Sequence, residues 1–556
     1  MCCFLSKYTK LTINNHIATK IQRTDGYYAY KIKDIVPVSS KTNTICSVLM
    51  LCTLISPVLL ADPFQGGLLD AVFITLQNEQ AIASSKQQII GSEGQVLTGH
   101  SVFETTINTS LSQNQAITPA TLAAGYPVTE INSTQTAYSL GVSQKQTYGL
   151  IINPVLSVSR INDNYTNQAS PSSSNAVINF TLPLLKGWGS AVNTAPEESA
   201  KLGREAAAYN YSHTLTASIT RTVSNYWSYL AANKLLDVAK TAEARAETLL
   251  NDARKLAQGD EIPTSDVVKY EVKLVGQIAV RIAAKQSLIA ARGALLNAMN
   301  IIDDRLADGA PPDDTFPIPG QANLDLLTDT ENLTQLIDYS KDRRFDVIAA
   351  QYSFQSAETL ATAASIDNKS RLDLTLSVGY NGIINGKSVA QSPLSLGNPA
   401  SGANVGAMLN YAIPVTNSAN RGQVLQTSAA AQQAKIQLDA LNNSVTTDAR
   451  VQLNNLRTAL AQLEQAHKQL EMQAKVYENE KRKYHSGLST VIDLFTNESQ
   501  LTSYQGNMVE AQRNFAQALI LFRFSTGTLL THQQDGQTLN KTQLTSLPSP
   551  SSFITH

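Results

Sequence analysis

The sequence predicts a mainly α-helical chain that carries a smaller set of β-strands and is built as two structural repeats. Three observations predict this. Residues 423–486 contain neither Gly nor Pro, which at 1.5 Å per residue permits a rod of roughly 95 Å. Segments of alternating apolar and polar residues fall into two separate clusters, at about 101–185 and 371–415. The order helix, strands, long helical hairpin occurs once in each half of the chain.

The chain opens on a stretch of a different kind. Residues 45–60, "ICSVLMLCTLISPVLL", are an apolar run preceded by Lys41 and followed by Ala61 and Asp62. The run is short for a spanning helix of about 20 residues and suits a signal-peptide core, so residues 1–61 are read as a signal peptide with a long n-region. Cleavage after Ala61 removes Cys2, Cys3, Cys46 and Cys52, leaving a thiol-free chain suited to an oxidising compartment. A retained anchor, or a lipoprotein beginning at Cys52, is the alternative; Leu59 and Leu51 sit where each processing site prefers a small residue. No other segment is long and apolar enough to span a membrane as a helix.

The first repeat, 62–302, begins with a helical stretch at 68–90, passes through the first strand cluster and ends in a long helical hairpin over 196–300. Residues 303–335, which begin "DDRLADGAPPDDTFPIPGQANLDLL", form a linker. The second repeat, 336–531, has a helix at 336–365, strands at 371–415 and a hairpin over 421–526. Residues 532–556 read as a disordered polar tail.

The hairpins carry coiled-coil seams. Leu453, Leu456, Leu460, Leu463, His467, Leu470, Ala474 and Tyr477 alternate steps of three and four, and Leu494, Leu501, Met508, Phe515 and Phe522 recur every seven residues. The first half matches more loosely, with Ile219, Val223, Tyr226 and Leu230, then Leu249, Ala253 and Leu256. Rods of this length need neighbours, in the chain or in other subunits. The strands alternate modestly, as in "DLTLSVGY", and periodicity alone leaves two readings open: a barrel shared between subunits, or a small soluble sheet packed on the helices.

"INFTLPLLKGWG" (178–189), its counterpart "LNYAIPVTNSANRGQ" (409–423), two Gly…Asp hairpin turns and the two-fold repeat together resemble the TolC family of outer-membrane efflux proteins, over about residues 66–531. The resemblance implies a homotrimer. About four strands per subunit would form a twelve-stranded transmembrane β-barrel, and the long helices a periplasmic tunnel with an equatorial linker at 303–335. It implies a passive channel-tunnel in the outer membrane of a Gram-negative bacterium, most of it periplasmic. Its partners would be outer-membrane lipid, a periplasmic adaptor and, through it, an inner-membrane RND or ABC transporter of an efflux or type I secretion system. Extra strand-like sequence at 137–159 departs from a simple two-strand contribution in the first repeat.

Within that resemblance Tyr484, Asp493 and Asp266 match residues that narrow the periplasmic gate. Both carboxylates also sit in first helical turns, where they favour the positive helix end, and Thr490 with Asp493 fits a capping box. Ser489 and Thr496 stand where the family has a gate arginine and a second aspartate, and one extra residue separates Gly259 from Asp266. Gly487, Leu488, Ser489 and Thr490, with Gly259 in the other turn, match adaptor-contact tips; "GDEI" matches less well, so the two tips are expected to be non-equivalent. Pro183, Gly187, Pro414 and Gly422 mark strand-to-helix junctions, and Trp188 is placed either in an interfacial aromatic belt or against the first long helix.

Other classes fit poorly. Net charge is −1, so no global field favours nucleic acid. Charged residues are 16% and aromatics 6%, a composition that suits slender helices with polar flanks better than a thick core. The seven histidines have no ligand-like spacing, and there is neither a phosphate-cradling loop nor a serine elbow, so no catalytic residue, metal or cofactor is expected. A structural coiled-coil assembly protein, such as a flagellin-like filament subunit, is the alternative function; the signal-like segment and the internal duplication argue against it.

Overall fold

The computed structural model describes residues 67–120, 129–164, 171–302, 314–318, 330–385, 396–397, 401–533 and 536–547, with two three-residue strands at Gln22–Thr24 and Tyr27–Ala29. The rest of the segment read as a signal peptide, both processing sites and most of the 303–335 linker lie outside these residues. The chain divides into two units: 1–85, 211–347 and 441–556 form one, and 86–210 with 348–440 form the other. The divisions at 85/86, 210/211, 347/348 and 440/441 all fall inside helices.

Helices α1 (Leu68–Asn78) and α2 (Gln80–His100) open the first repeat and lead into strands β1 (Thr106–Ala120), β2 (Thr129–Lys145), β3 (Ile151–Asp163) and β4 (Pro171–Pro183). Two long helices come next, α3 (Ala195–Gln258) and α4 (Thr264–Ala298). The second repeat runs α5 (Thr330–Arg343), α6 (Phe345–Ile366), β5 (Arg371–Asn385), β6 (Ser401–Ala412), α7 (Ser418–His485) and α8 (Val491–Ser525). A short hairpin, Thr531–Gln533 with Gly536–Thr538, and helix α9 (Lys541–Thr545) complete the described chain.

The main sheet is one antiparallel meander in chain order, β1-β2-β3-β4-β5-β6, so the described residues supply six strands to it where about four were expected. The difference arises at 137–159, which is two strands joined by a tight turn: Gly149 donates to the Gln146 carbonyl at 2.9 Å and Gln146 to that of Leu150 at 2.7 Å. Gly149 is required there; its φ is 106°, and a Cβ would lie 2.4 Å from the Gly187 carbonyl oxygen.

Cross-strand register sorts the side chains onto two faces. One face carries Ile107 and Leu111, then Tyr138, Leu140 and Val142, then Leu156 and Val158, a stripe continued across the ladder by Ala176, Ile178 and Phe180. It runs on through Leu374, Leu376, Val378 and Tyr380 to Val405, Ala407, Leu409 and Tyr411. The opposite face is mostly Ser, Thr, Asn and Gly, among them Ser110, Ser139, Ser157, Asn175, Ser377 and Asn404. The apolar face is left open in the single chain: Leu376 is 44% exposed and Val405 80%.

The other unit hides its apolar residues. Leu453, Leu456 and Leu463 of α7 pack with Phe515, Leu519 and Phe522 of α8, so the two seams read from the sequence meet each other. Ile219, Val223, Tyr226 and Leu230 of α3 pack with Leu68 and Val72 of α1, Leu295 of α4 and Ile520 of α8. Asp314 ties this core to the starts of α1 and α9: its carboxylate accepts from the Leu68 amide at 2.7 Å and the Tyr226 hydroxyl at 2.9 Å and pairs with Lys541. Burial pushes the Asp314 pKa up, but the Lys541, Leu68 and Tyr226 hydrogen bonds outweigh it and hold the carboxyl below its ordinary value.

Within the tail beginning at 532, expected to be disordered, residues 532–533 and 536–547 are structured. Leu539, Leu544 and Leu547 are buried, Asn540 and Gln543 form a capping box at the start of α9, and Arg523 donates to the Ser546 carbonyl at 2.6 Å. Three leucines spaced through a polar stretch are enough to dock it. Burial of the Arg523 guanidinium lowers its pKa to about 10.

Candidate functional site

The two hairpin turns lie in the same unit, and their flanking helices pack together. The first joins α3 to α4. Gly259 donates to the Lys255 carbonyl at 3.1 Å and Glu261 to that of Leu256 at 2.9 Å, while Asp260 takes the left-handed conformation at φ 56°. Pro263 then sets the start of α4. The second joins α7 to α8. Gly487, at φ 69°, donates to the Tyr484 carbonyl at 3.0 Å, and Leu488 donates to that of Lys483 at 2.9 Å, a glycine C-cap. Thr490 caps α8 by accepting from the Asp493 amide at 3.2 Å and donating to the Asp493 carboxylate at 2.6 Å.

Just behind the turns the hairpins are fastened to each other. Tyr270 of α4 and Tyr484 of α7 share a hydroxyl–hydroxyl hydrogen bond of 2.6 Å. The Tyr270 ring meets Phe495 of α8 edge-on, with centroids 5.0 Å apart, in a cluster with Leu250, Ala253 and Val267. Burial, then the bond to Tyr484, then nearby Tyr484 and Asp266 raise the Tyr270 pKa. One turn deeper, Glu498 of α8 is 0% exposed between two cations. Lys273 of α4 reaches one carboxylate oxygen at 2.8 Å, and Arg245 of α3 reaches the other at 3.3 Å. Thr502 donates to Glu498 at 3.0 Å and receives a hydrogen bond from Arg245 at 2.9 Å.

The predicted gate residues are distributed unequally. Tyr484 belongs to the fastening. Asp266 is half-buried and paired locally with Lys269 at 2.8 Å, and Asp493 is exposed and occupied as the cap partner of Thr490. Of the predicted tip residues, Gly259, Gly487, Leu488 and Thr490 are exposed, Leu488 at 79%; Ser489 is partly covered and bonds Glu480. Tyr270, Glu498, Lys273 and Arg245 went unnoticed in the sequence. "VVKYEV" reads as an ordinary seam, and nothing in "TNES" shows which polar residue turns inward.

In the sheet-bearing unit, the junction after β4 contains Pro183 and Gly187. Pro183 closes the strand, Gly187 has φ 83°, and the Gly187 amide donates to Asp367 at 2.6 Å. Trp188 is half-exposed and meets Tyr148 edge-on at 6.3 Å, which places it beside the β2–β3 turn rather than against a long helix. After β6, Pro414 lies in the connecting loop as expected, but the turn into α7 is made by Asn417, at φ 47°; Gly422 lies inside α7. Asn tolerates the left-handed region, so glycine was the wrong marker there.

No protein-family model and no curated relative matches the chain. Solved structures do. The Campylobacter jejuni CmeC outer membrane channel aligns at a TM-score of 0.59 and 14% identity, over 88% of each chain. The Vibrio cholerae outer membrane protein VceC aligns at 0.59 and 13%, over 83% of this chain and 96% of its own. The Neisseria gonorrhoeae MtrE outer membrane channel, in its open state, aligns at 0.58 and 16%, over 92% and 98%. The chain thus shares the TolC-like fold of these channels, an antiparallel sheet together with long helical hairpins.

Proposed function

We propose that the chain is one subunit of a passive homotrimeric channel-tunnel in the outer membrane of a Gram-negative bacterium, serving efflux or type I secretion. The observation that carries this reading is the exposed apolar stripe of the sheet, continuous from Ile107 to Tyr411 and backed by a polar face. Water gives no reason to leave Leu376, Val405 and Leu409 exposed; hydrocarbon does. The shared fold supports the same reading. A second apolar row supports a ring of copies: Val268, Val272, Val275, Ala279 and Ile282 of α4 are exposed at steps of four and three, a seam suited to another copy's helix.

At the hairpin turns, Gly487 to Thr490, with Gly259, would present small residues, hydroxyls and the exposed Leu488 to a periplasmic adaptor linked to an RND or ABC transporter. Three copies of Asp266 and Asp493 around a three-fold axis would attract cations at the constriction. The Tyr270–Tyr484 and Glu498 contacts would hold the helix ends together until the tips splay. Trp188 and Tyr148 would sit at the membrane–water boundary.

Detergent extraction of membranes tests the reading. The expected species is a heat-sensitive trimer from the outer-membrane fraction that conducts ions in planar bilayers; a water-soluble filament would overturn it. Asp266→Ala with Asp493→Ala is expected to raise conductance and relieve divalent-cation block. Unchanged values for both would remove these carboxylates from the gate.

A further inference from the structure

We propose that the barrel closes by pairing β6 of one copy with β1 of the next, so that three copies build an eighteen-stranded wall that includes the β1–β2 hairpin. This rests on the trimeric reading above and replaces the twelve strands that the resemblance implied.

Three observations carry it. First, the apolar belt does not stop at β3. Ile107 faces Val142, Leu111 faces Tyr138, and Leu140 in turn faces Leu156, so hairpin residues continue the same exposed stripe. A hairpin lying outside the membrane would have no reason to extend it. Second, β2 is bonded on both sides, to β1 from Thr106↔Ser143 to Ala120↔Thr129 and to β3 from Ser133↔Asp163 to Lys145↔Ile151. A twelve-stranded wall would need β3 to leave β2 and pair with another copy, stranding backbone groups that hydrocarbon cannot satisfy.

Third, the two outermost strands are little guarded. Neither β1, "TINTSLSQNQAITPA", nor β6, "SGANVGAMLNYA", contains a charged residue, and the one proline, Pro119, stands next to the end of β1, whereas exposed edges are ordinarily blunted by Lys, other charges, Pro or brevity. Such edges suit a partner strand. With six antiparallel strands, β1 and β6 run in opposite directions, so a second copy placed head to tail continues the antiparallel pattern without a parallel seam.

Barrel diameter grows roughly linearly with strand number, so the wall would be about 1.5 times as wide as a twelve-stranded one, in the range where porins hold an open aqueous channel. The outer-membrane section would then pass bulkier solutes than a twelve-stranded barrel.

Disulfide trapping in cells tests the seam, in a chain with Cys2, Cys3, Cys46 and Cys52 changed to Ser. Asn108→Cys and Ser110→Cys on β1 are each combined with Asn404→Cys or Met408→Cys on β6, all on the polar face, to sample registers. Asn153→Cys and Ser157→Cys on β3 are combined with the same β6 positions as the opposing set. The expected result is oxidised, reductant-sensitive oligomers from at least one β1–β6 pair and none from β3–β6 pairs. Cross-links from β3–β6 alone would overturn the eighteen-stranded wall and leave the trimer standing. Cross-links from neither set would overturn the shared barrel as well.

Discussion

Apolar side chains of the same kinds have opposite exposures in the two units. In the sheet, Leu376 and Val405 are 44 and 80% exposed; in the helical unit, Leu494 and Phe515 are 0 and 2% exposed. Each arrangement minimises apolar contact with water only if the surroundings differ. The helices exclude water by packing on one another, and the sheet would do so by meeting lipid. The register of six strands and the heptads of four helices therefore encode two solvents in one chain.

Breaking the helical side of this contrast should have the largest effect. Phe515→Ala empties a site between α7 and α8 and is expected to cost about 3–5 kcal/mol in denaturant unfolding of detergent-solubilised protein. A cost below ~1 kcal/mol would mean that the seams do not form the core. On the sheet, Val378→Arg is expected to cost about 2–4 kcal/mol in urea titrations of protein folded in lipid vesicles. A negligible cost would show that this face meets water and would collapse the contrast.

Smaller effects are expected at the hairpin ends. Glu498→Ala leaves Lys273 and Arg245 without their shared carboxylate and should lower stability by about 2 kcal/mol while raising single-channel conductance. A stability loss with unaltered conductance would make the cluster a packing device only. Tyr270→Phe removes one hydroxyl of the 2.6 Å pair, for about 1 kcal/mol. Adding Tyr484→Phe should then cost little more, and full additivity would show that the two hydroxyls act separately.

The smallest effect concerns acid. The folded Asp314 carboxyl has a lowered pKa, so its contribution is complete above its unfolded value and is lost as pH falls through the folded one. Lys541→Met removes one partner that lowers it, so the stability lost as pH falls through and below the ordinary carboxylate range should shrink. An unchanged slope would remove Asp314 from the acid response.

The helical hairpins were legible because a heptad is a long signal: Leu494 to Phe522 repeats without interruption, and its residues pack as read. The strand cluster was harder. Residues 137–159 read as one segment because "SQKQTYGL" holds a single Gly and no Pro, although that Gly makes the turn. The polar end of β1, "QNQAITPA", reads as loop, because its pattern shows only against Glu130 to Thr136 across the ladder. At the turns, sequence comparison located Tyr484 but not its partner, since the Tyr270 contact spans 214 residues of chain.

The expectation that no segment after residue 60 could span a membrane as a helix is corrected by α4: among the described residues it is the one helix long and apolar enough, with a mean hydropathy of 1.2 over its most apolar stretch, none of it buried. For a chain threaded through the inner-membrane translocon, that stretch is a potential stop-transfer sequence. Arg281 and Lys285 lie within its apolar run, and a cation at the centre of an inserting helix costs about 2.5–3.5 kcal/mol. Replacing both with Leu would break the Arg281–Glu243 pair between α4 and α3 and would risk arresting the chain halfway through export. The valines that suit a neighbouring subunit thus set a limit on how few charges this helix can carry.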